Sequence, residues 1–120
     1  MKPWIVMLIL LGGSGSAMAW NVDCKRSGSV QHCHSWFIEE HRASGSQTRM
    51  RIEYLIRGGE VDTESVCRQY ERSSLESRRC LRKASEMFRE LCSRDNQRSD
   101  LSPQRKTLYC DASRRFVPLR

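Results

Sequence analysis

The residue types best suited to metal chemistry in this sequence stand together at His32-Cys33-His34. A thiolate between two imidazoles can bind a soft or borderline metal ion. Neighbouring side chains point in different directions on a helix or a strand, however, and a cysteine in an oxidising compartment is usually bonded to another cysteine. We therefore expect surface histidines at these positions, and we predict neither a metal site nor any cofactor.

Sequence motifs for catalysis are missing. The chain has no Gly-x-Ser-x-Gly, no His-Glu-x-x-His and no glycine-rich phosphate loop. Glu39-Glu40 is an adjacent pair of carboxylates, but neighbours on a helix diverge by about 100° and do not form an acid–base pair. An even number of cysteines also argues against a free catalytic thiol. We therefore predict that the protein is not an enzyme.

The first 19 residues have the composition of a secretory signal peptide. Lys2 gives a positive start, residues 4–11 are apolar, and Ala17-Met18-Ala19 fits the small-x-small rule for cleavage. A membrane anchor is the alternative, but this apolar run is too short to cross a hydrocarbon core, which needs about 20 residues. The mature chain is predicted to begin at Trp20 and to have no transmembrane span. So short a leader is typical of bacterial export to the periplasm or the medium.

All six cysteines lie in the predicted mature part, and all are expected to form disulfides. An exported domain of this size with few large apolar side chains is marginally stable, and each bridge contributes on the order of 2–4 kcal/mol. Sequence does not choose among the possible pairings. The preferred set is Cys67–Cys80 from the helix geometry below, with Cys24–Cys33 and Cys92–Cys110 by proximity in the sequence.

The elements that must position the cysteines are predicted to be helices. Residues 62–94 are interpreted as two antiparallel helices joined at Ser73-Ser74, where Ser73-x-x-Glu76 fits a capping box. Cys67 and Cys80 are then symmetric about the turn and close to each other. An unbroken helix would instead hold them roughly 20 Å apart.

Sequence signals also place the ends of these helices. Asp62 or Thr63 is the predicted N-cap of the first helix of the pair, and Ser102-Pro103 opens a short C-terminal helix. Residues 111–120 either pack on the domain or form a mobile tail. The second helix of the pair has a charged side and an apolar side, the latter formed by Cys80, Ala84, Met87, Phe88 and Leu91.

Two further helices are predicted nearer the N-terminus. Residues 34–43 can form one, which ends at Ser44-Gly45-Ser46. Residues 49–57 alternate apolar and charged side chains like a half-buried strand, yet a lone strand lacks a partner, and Gly58-Gly59 suits a helix C-terminus. We choose the helix and keep the strand as the alternative. The predicted fold is all-α, a small disulfide-stapled bundle of about four short helices in a single domain over residues 20–120.

Basic residues are the main guide to function. Lys and Arg number 21 against 14 Asp and Glu, and most are arginines, which suit both protein interfaces and anionic polymers. An ordinary solvated helix surface is the competing interpretation. Nucleic-acid binding is not expected, because no recognition motif is present and no aromatic residues interleave the basic run. The candidate binding face is formed by Arg72, Arg78, Arg79, Arg82 and Lys83.

Three functions are compared. The favoured one is a small exported protein that binds another exported or envelope protein, as an inhibitor, an immunity-type protein or an accessory subunit. The alternative is a protein whose basic face binds anionic envelope polymers or lipids, with an affinity that falls steeply with salt. A small hydrolase of unfamiliar type ranks last.

Overall fold

The computed structural model describes residues 20–41, 43–96 and 102–117. These residues form a four-stranded antiparallel sheet followed by two helices. The sheet has the strand order β1-β2-β3-β4. The strands are β1 (Asp23–Ser27), β2 (Val30–His41), β3 (Ser46–Arg57) and β4 (Glu60–Asp62), and the helices are α1 (Leu75–Asn96) and α2 (Pro103–Arg115). The predicted all-α bundle is therefore wrong, because both N-terminal segments predicted as helices are strands.

Tight turns make the sheet a simple meander. Gly58 and Gly59 form the two-residue loop between β3 and β4, with φ of 59° and 79°. Two consecutive positive φ values are what a type I′ hairpin turn requires, and glycine adopts them without steric cost. Gly28, with φ of 67°, helps to reverse the chain between β1 and β2. The glycine pair that was expected to end a helix thus forms the turn between two antiparallel strands.

The strand alternative for residues 49–57 is the one the structure contains. Met50, Ile52, Tyr54 and Ile56 are all buried on one side of β3. The missing partner is β2, which pairs with β3 from Val30↔Arg57 to His41↔Ser46. Its alternation is hidden in the sequence because apolar residues occupy both of its sides: Phe37 is buried, whereas its neighbours Trp36 and Ile38 are exposed. Because of that two-sided pattern, residues 34–43 were wrongly predicted to form a helix.

Both helices pack on one face of the sheet, which we call the inner face. The ring centroid of Phe88 on α1 lies 5.4 Å from that of Tyr54 on β3 and 6.1 Å from that of Tyr109 on α2. The predicted apolar side of α1 is confirmed, since all five of its residues are buried. Phe116, just after α2, joins the same core. The result is a two-layer α+β domain with one hydrophobic core.

The helix predicted before α1 is a single 3₁₀ turn, Thr63–Ser65, followed by irregular backbone. Asp62 does cap it, because its carboxylate accepts a bond from the Glu64 N–H at 3.2 Å. The N-terminus of α1 lies one residue beyond the predicted capping box. The Ser74 hydroxyl, not that of Ser73, accepts from the Ser77 N–H at 3.1 Å. The Ser102–Pro103 start of α2 is confirmed, with the Arg105 N–H donating to the Ser102 hydroxyl at 3.3 Å.

Three disulfides join the six cysteines as Cys24–Cys33, Cys67–Cys80 and Cys92–Cys110, the same pairs as in the preferred set. The physical reason for Cys67–Cys80 differs from the one expected. Cys67 lies in the irregular segment along the edge of β3, and the bridge ties this segment to α1. Cys24–Cys33 links paired positions on β1 and β2, and Cys92–Cys110 links the two helices.

Some predictions fall on residues whose structure is not described. The predicted signal peptide, residues 1–19, lies outside the described part of the chain, as do residues 97–101 and residues 118–120 of the predicted tail. Within the described part of that tail, residues 111–115 belong to α2 and Phe116 is buried. No helix in the described ranges is long and apolar enough to cross a membrane.

Candidate functional site

The sheet has a second face that no described helix or strand covers, and we call it the outer sheet face. Alternation along the strands decides which residues lie there, because successive side chains point to opposite sides. Since the helices pack on the even-numbered residues of β3 and the odd-numbered residues of β2, the others face outward. The outer sheet face consists of His32, His34, Trp36 and Ile38 on β2 and Arg49, Arg51, Glu53 and Leu55 on β3.

Trp36 forms the centre of this face together with three neighbours, and we call these four residues the Trp36 cluster: Trp36, Ile38, Arg49 and Arg51. The guanidinium carbons of Arg49 and Arg51 lie 4.2 and 5.3 Å from the ring centroid of Trp36. The register explains this, because Trp36 pairs with Arg51 and Ile38 pairs with Arg49. Trp36 is 43% exposed and Ile38 is 55% exposed.

The chemistry of the Trp36 cluster is that of a recognition surface. Tryptophan and arginine are the residue types most enriched at the energetic centres of protein interfaces. Cation–π contacts at exposed sites contribute about 0.5–1 kcal/mol, so the two guanidiniums favour this orientation of the indole. A preformed aromatic anchor loses less conformational entropy on binding.

The backbone of Arg51 is fixed by the segment that follows β4. Its N–H donates to the Tyr70 hydroxyl at 3.3 Å, and its carbonyl accepts from the Gln69 side-chain amide. Further along β3, the Cys67 N–H donates to the Glu53 carbonyl at 2.9 Å. The Arg51 side chain also forms an ion pair with Glu53. Residues 65–70, which we call the covering segment, therefore cover the edge of β3 and fix the backbone from which the Arg51 side chain reaches the indole.

A groove of about 720 Å³ adjoins the Trp36 cluster on the outer sheet face. Its lining includes His32 and His34 from β2, Asp23 from β1, Glu53 from β3 and Arg68 from the covering segment. The His34 imidazole lies 3.9 Å from the Asp23 carboxylate. Positive and negative groups are mixed throughout, so the groove has no single charge preference.

The structure separates the three residues of the candidate metal cluster. Cys33 is bonded to Cys24 and buried on the inner face, while His32 and His34 lie on the outer face. No group of three or more His, Cys, Asp or Glu residues in the described ranges is arranged to hold a metal ion. The third histidine of the chain, His41, is the last residue of β2.

The predicted basic face is only partly brought together. Arg78 and Arg82 are exposed on α1, one helical turn apart, and Arg89 continues their line about two turns further on. Arg89 was left out of the predicted binding face because residues 84–88, which include Glu86, separate it from the basic run in the sequence. Lys83 is half-buried and paired with Glu86 at 3.3 Å.

The other members of that predicted face lie elsewhere. Arg79 is half-buried. Arg72 precedes α1 and lines a second groove, of about 740 Å³, between the covering segment, α1 and the end of α2. Val66, Leu81 and Phe116 also line this groove.

Two tyrosines form a buried hydroxyl pair beneath the site. The Tyr54 and Tyr109 hydroxyls are 2.8 Å apart and link β3 to α2. Burial raises the pKa of both phenols above the ordinary value, so both stay protonated well beyond neutral pH. Their function is to hold the core together, because neither hydroxyl is exposed for acid–base chemistry.

Comparison with protein-family models, with curated proteins and with solved structures finds no match to this chain. The site therefore has to be interpreted from its own geometry. Sequence reasoning placed Trp36 in the predicted helix over residues 34–43, which could not bury Trp36, Phe37 and Ile38 together. The signal that identifies it is the alternation of His32, His34, Trp36 and Ile38 once β2 is seen as a strand.

Proposed function

We propose that this protein is exported and acts by binding another protein through the outer sheet face, with Trp36 as the central contact. One observation carries the proposal. An exposed tryptophan lies in contact with two arginines of the neighbouring strand and beside an exposed isoleucine, on a sheet face that no described element covers. Exposed apolar side chains that lie next to one another mark interaction sites, whereas singly scattered ones do not.

The chemistry of the cluster also suggests the chemistry of the partner. The centre is apolar, and Arg49, which forms no ion pair within the described ranges, adds a positive group that can pair bidentately with a carboxylate, whereas Arg51 is already paired with Glu53. A complementary surface therefore presents an apolar residue next to Asp or Glu. This pattern suits an inhibitor, an immunity-type protein or an accessory subunit, each of which works by occupying a partner's surface.

Export is supported by the scaffold and by the leader. Three disulfides form and persist in oxidising compartments such as the periplasm or the extracellular medium. The apolar leader with its Ala17-Met18-Ala19 end provides the route. We therefore place the mature protein in the periplasm or outside the cell.

The test is a comparison of three immobilised forms of the mature protein, exposed to periplasmic and secreted fractions of the source cells. The forms are the unmodified chain, Trp36→Ala and Leu75→Ala. Leu75 is the matched control, since its side chain is 54% exposed at the start of α1, away from the sheet. A protein retained by the unmodified chain and by Leu75→Ala but lost with Trp36→Ala supports the proposal. Equal retention on all three forms contradicts it.

A second candidate function is binding to anionic envelope polymers or lipids through α1. It is favoured by the exposed line of Arg78, Arg82 and Arg89, none of which forms an ion pair within the described part of the chain. Retention on an anionic polysaccharide column or on vesicles with anionic lipid should then fall steeply with salt. It should also be lost in the triple change of these arginines to Glu. Retention that is indifferent to salt excludes this candidate.

A further inference from the structure

The edge of β2 that faces away from β3 is open over its second half. β1 covers this edge only from Val30 to His34, where Asp23 is the last paired residue. The Ser35 hydroxyl then donates to the Asn21 carbonyl at 2.8 Å. Within the described ranges, no strand, loop or helix pairs with this edge from residue 36 onward.

The register shows which backbone groups are unpaired there. Arg51 and Glu53 direct their backbone groups to the covering segment, so the odd-numbered residues of β3 face away from β2. The even-numbered residues face β2, and their partners on β2 are odd-numbered, as in Met50↔Phe37. Because orientation alternates along a strand, the even-numbered residues of β2 present their N–H and C=O groups to the open edge. Those residues are Trp36, Ile38 and Glu40.

Other edges of the sheet are protected. Residues 65–70 cover the edge of β3, and the Arg115 side chain donates to the Val61 carbonyl of β4 at 2.9 Å. β1 is short and fully exposed, and it carries Lys25 and Arg26. Charge and short length are common defences against edge pairing. The open edge of β2 instead carries two large exposed apolar side chains, Trp36 at one end and Ile38 in its middle.

We propose that a second copy of this chain pairs with the open edge, β2 against β2 in antiparallel orientation, to form a dimer. The length of the open edge sets the register. It runs from Trp36 to Glu40, so a two-fold axis passes through its middle residue, Ile38. Each Ile38 then contacts the partner's Ile38, and each Trp36 lies opposite the partner's Glu40.

Charge complementarity supports this register. The partner's Glu40 falls beside the Trp36 ring, where the guanidinium of Arg49 already lies 4.2 Å from the ring centroid. The two-fold axis repeats this pairing, so the interface gains two Arg–Glu contacts and one apolar contact. The two sheets become one continuous sheet of eight strands. Both Trp36 clusters then lie on the same side, and the inference does not depend on whether they bind another protein.

The experiment is sedimentation equilibrium of the disulfide-bonded mature chain over a wide concentration range. Ile38→Lys places two like charges opposite each other and should raise the dimer dissociation constant about tenfold or more. Leu75→Lys is the matched control and should leave it unchanged. Glu40→Arg and Arg49→Glu should each weaken the dimer, and the two together should restore it, because the pairing is then reversed in sign.

Three results would overturn the inference. They are a chain that stays monomeric at every concentration, a dimer unaffected by Ile38→Lys, and a charge-swapped double variant that does not recover. Circular dichroism of each variant checks that it is folded, which Ile38, at 55% exposure, should permit. A chain that is monomeric but still captures a protein through Trp36 would overturn the proposed dimer without contradicting the proposed function.

Discussion

The guanidinium of Arg49 lies over the indole of Trp36, with 4.2 Å between the guanidinium carbon and the ring centroid. The contact joins two neighbouring strands, β2 and β3, and leaves 43% of the tryptophan exposed. It is the feature that turns a sheet face into a preformed anchor. Its energy is measurable without knowing the partner.

A double-mutant cycle between these two residues should show a coupling free energy of about 0.5–1 kcal/mol. The cycle uses Trp36→Ala, Arg49→Ala and the double variant, with the free energy of unfolding measured in urea. Each single change should cost about 1 kcal/mol or less, because the side chains are largely at the surface. Additive single effects would show that the contact does not form in solution.

The buried tyrosine pair predicts a loss of stability at high pH. Burial raises the pKa of Tyr54 and Tyr109 in the folded chain, whereas the unfolded chain releases these protons near pH 10. Above that pH the unfolded state binds fewer protons than the folded state, so the free energy of unfolding falls as pH rises. The slope should approach about 1.4 kcal/mol per pH unit for each tyrosine.

Urea unfolding between pH 8 and about pH 11 measures this slope. The control is Tyr54→Phe with Tyr109→Phe, which removes both phenols together and leaves no unpaired hydroxyl. The double variant should lose most of the alkaline destabilisation. An equal fall in both proteins would assign the effect to other groups.

The β3–β4 turn predicts a backbone effect that is free of steric complications. A Cβ at Gly59 would meet no atom within 4 Å, but its φ is +79°. Gly59→Ala should therefore lower the free energy of unfolding by about 1–2 kcal/mol through backbone strain alone. Gly59→Asn should cost clearly less, because asparagine tolerates this conformation better. Equal costs for the two variants would contradict the assigned turn.

The buried Cys67–Cys80 disulfide should contribute more to the free energy of unfolding than the Cys24–Cys33 disulfide. Cys67 and Cys80 are both buried, and their bridge holds the covering segment of β3 against α1. Changing both to Ala should cost about 2–4 kcal/mol in the free energy of unfolding. The same change at Cys24 and Cys33, where Cys24 is exposed and the bridge closes a shorter loop, should cost less. The reverse order would count against this packing.

Helices α1 and α2 could be predicted from the sequence because helix formation and capping depend on residues that are near one another in the chain. The apolar side of α1 follows a 3.6-residue period, and the cap at Ser102 depends on a few adjacent residues. The strands depend on partners far away in the chain. β3 alternates clearly, but the strand interpretation was rejected because no partner strand was recognised. The partner, β2, was not recognised because the exposed apolar residues Trp36 and Ile38 obscure the alternation of β2.

The candidate site was missed for the same physical reason. The contact of an exposed tryptophan with two arginines exists only once Trp36 pairs with Arg51 and Ile38 pairs with Arg49. No local sequence rule places residues so far apart beside one another. The basic run on α1, by contrast, was visible in the sequence because its members are neighbours. Only Arg78 and Arg82 of that run join Arg89 in an exposed line.

The accessibility of Trp36 in the complex tests the central claim most directly. The other tryptophan of the described chain, Trp20, is buried at 5% exposure, so the tryptophan oxidation seen by hydroxyl-radical footprinting and mass spectrometry comes almost entirely from Trp36. On binding the captured protein, oxidation of Trp36 should fall several-fold, while that of Leu75 should not change. Undiminished oxidation of Trp36 in a fully formed complex would contradict the assignment of the outer sheet face as the binding site.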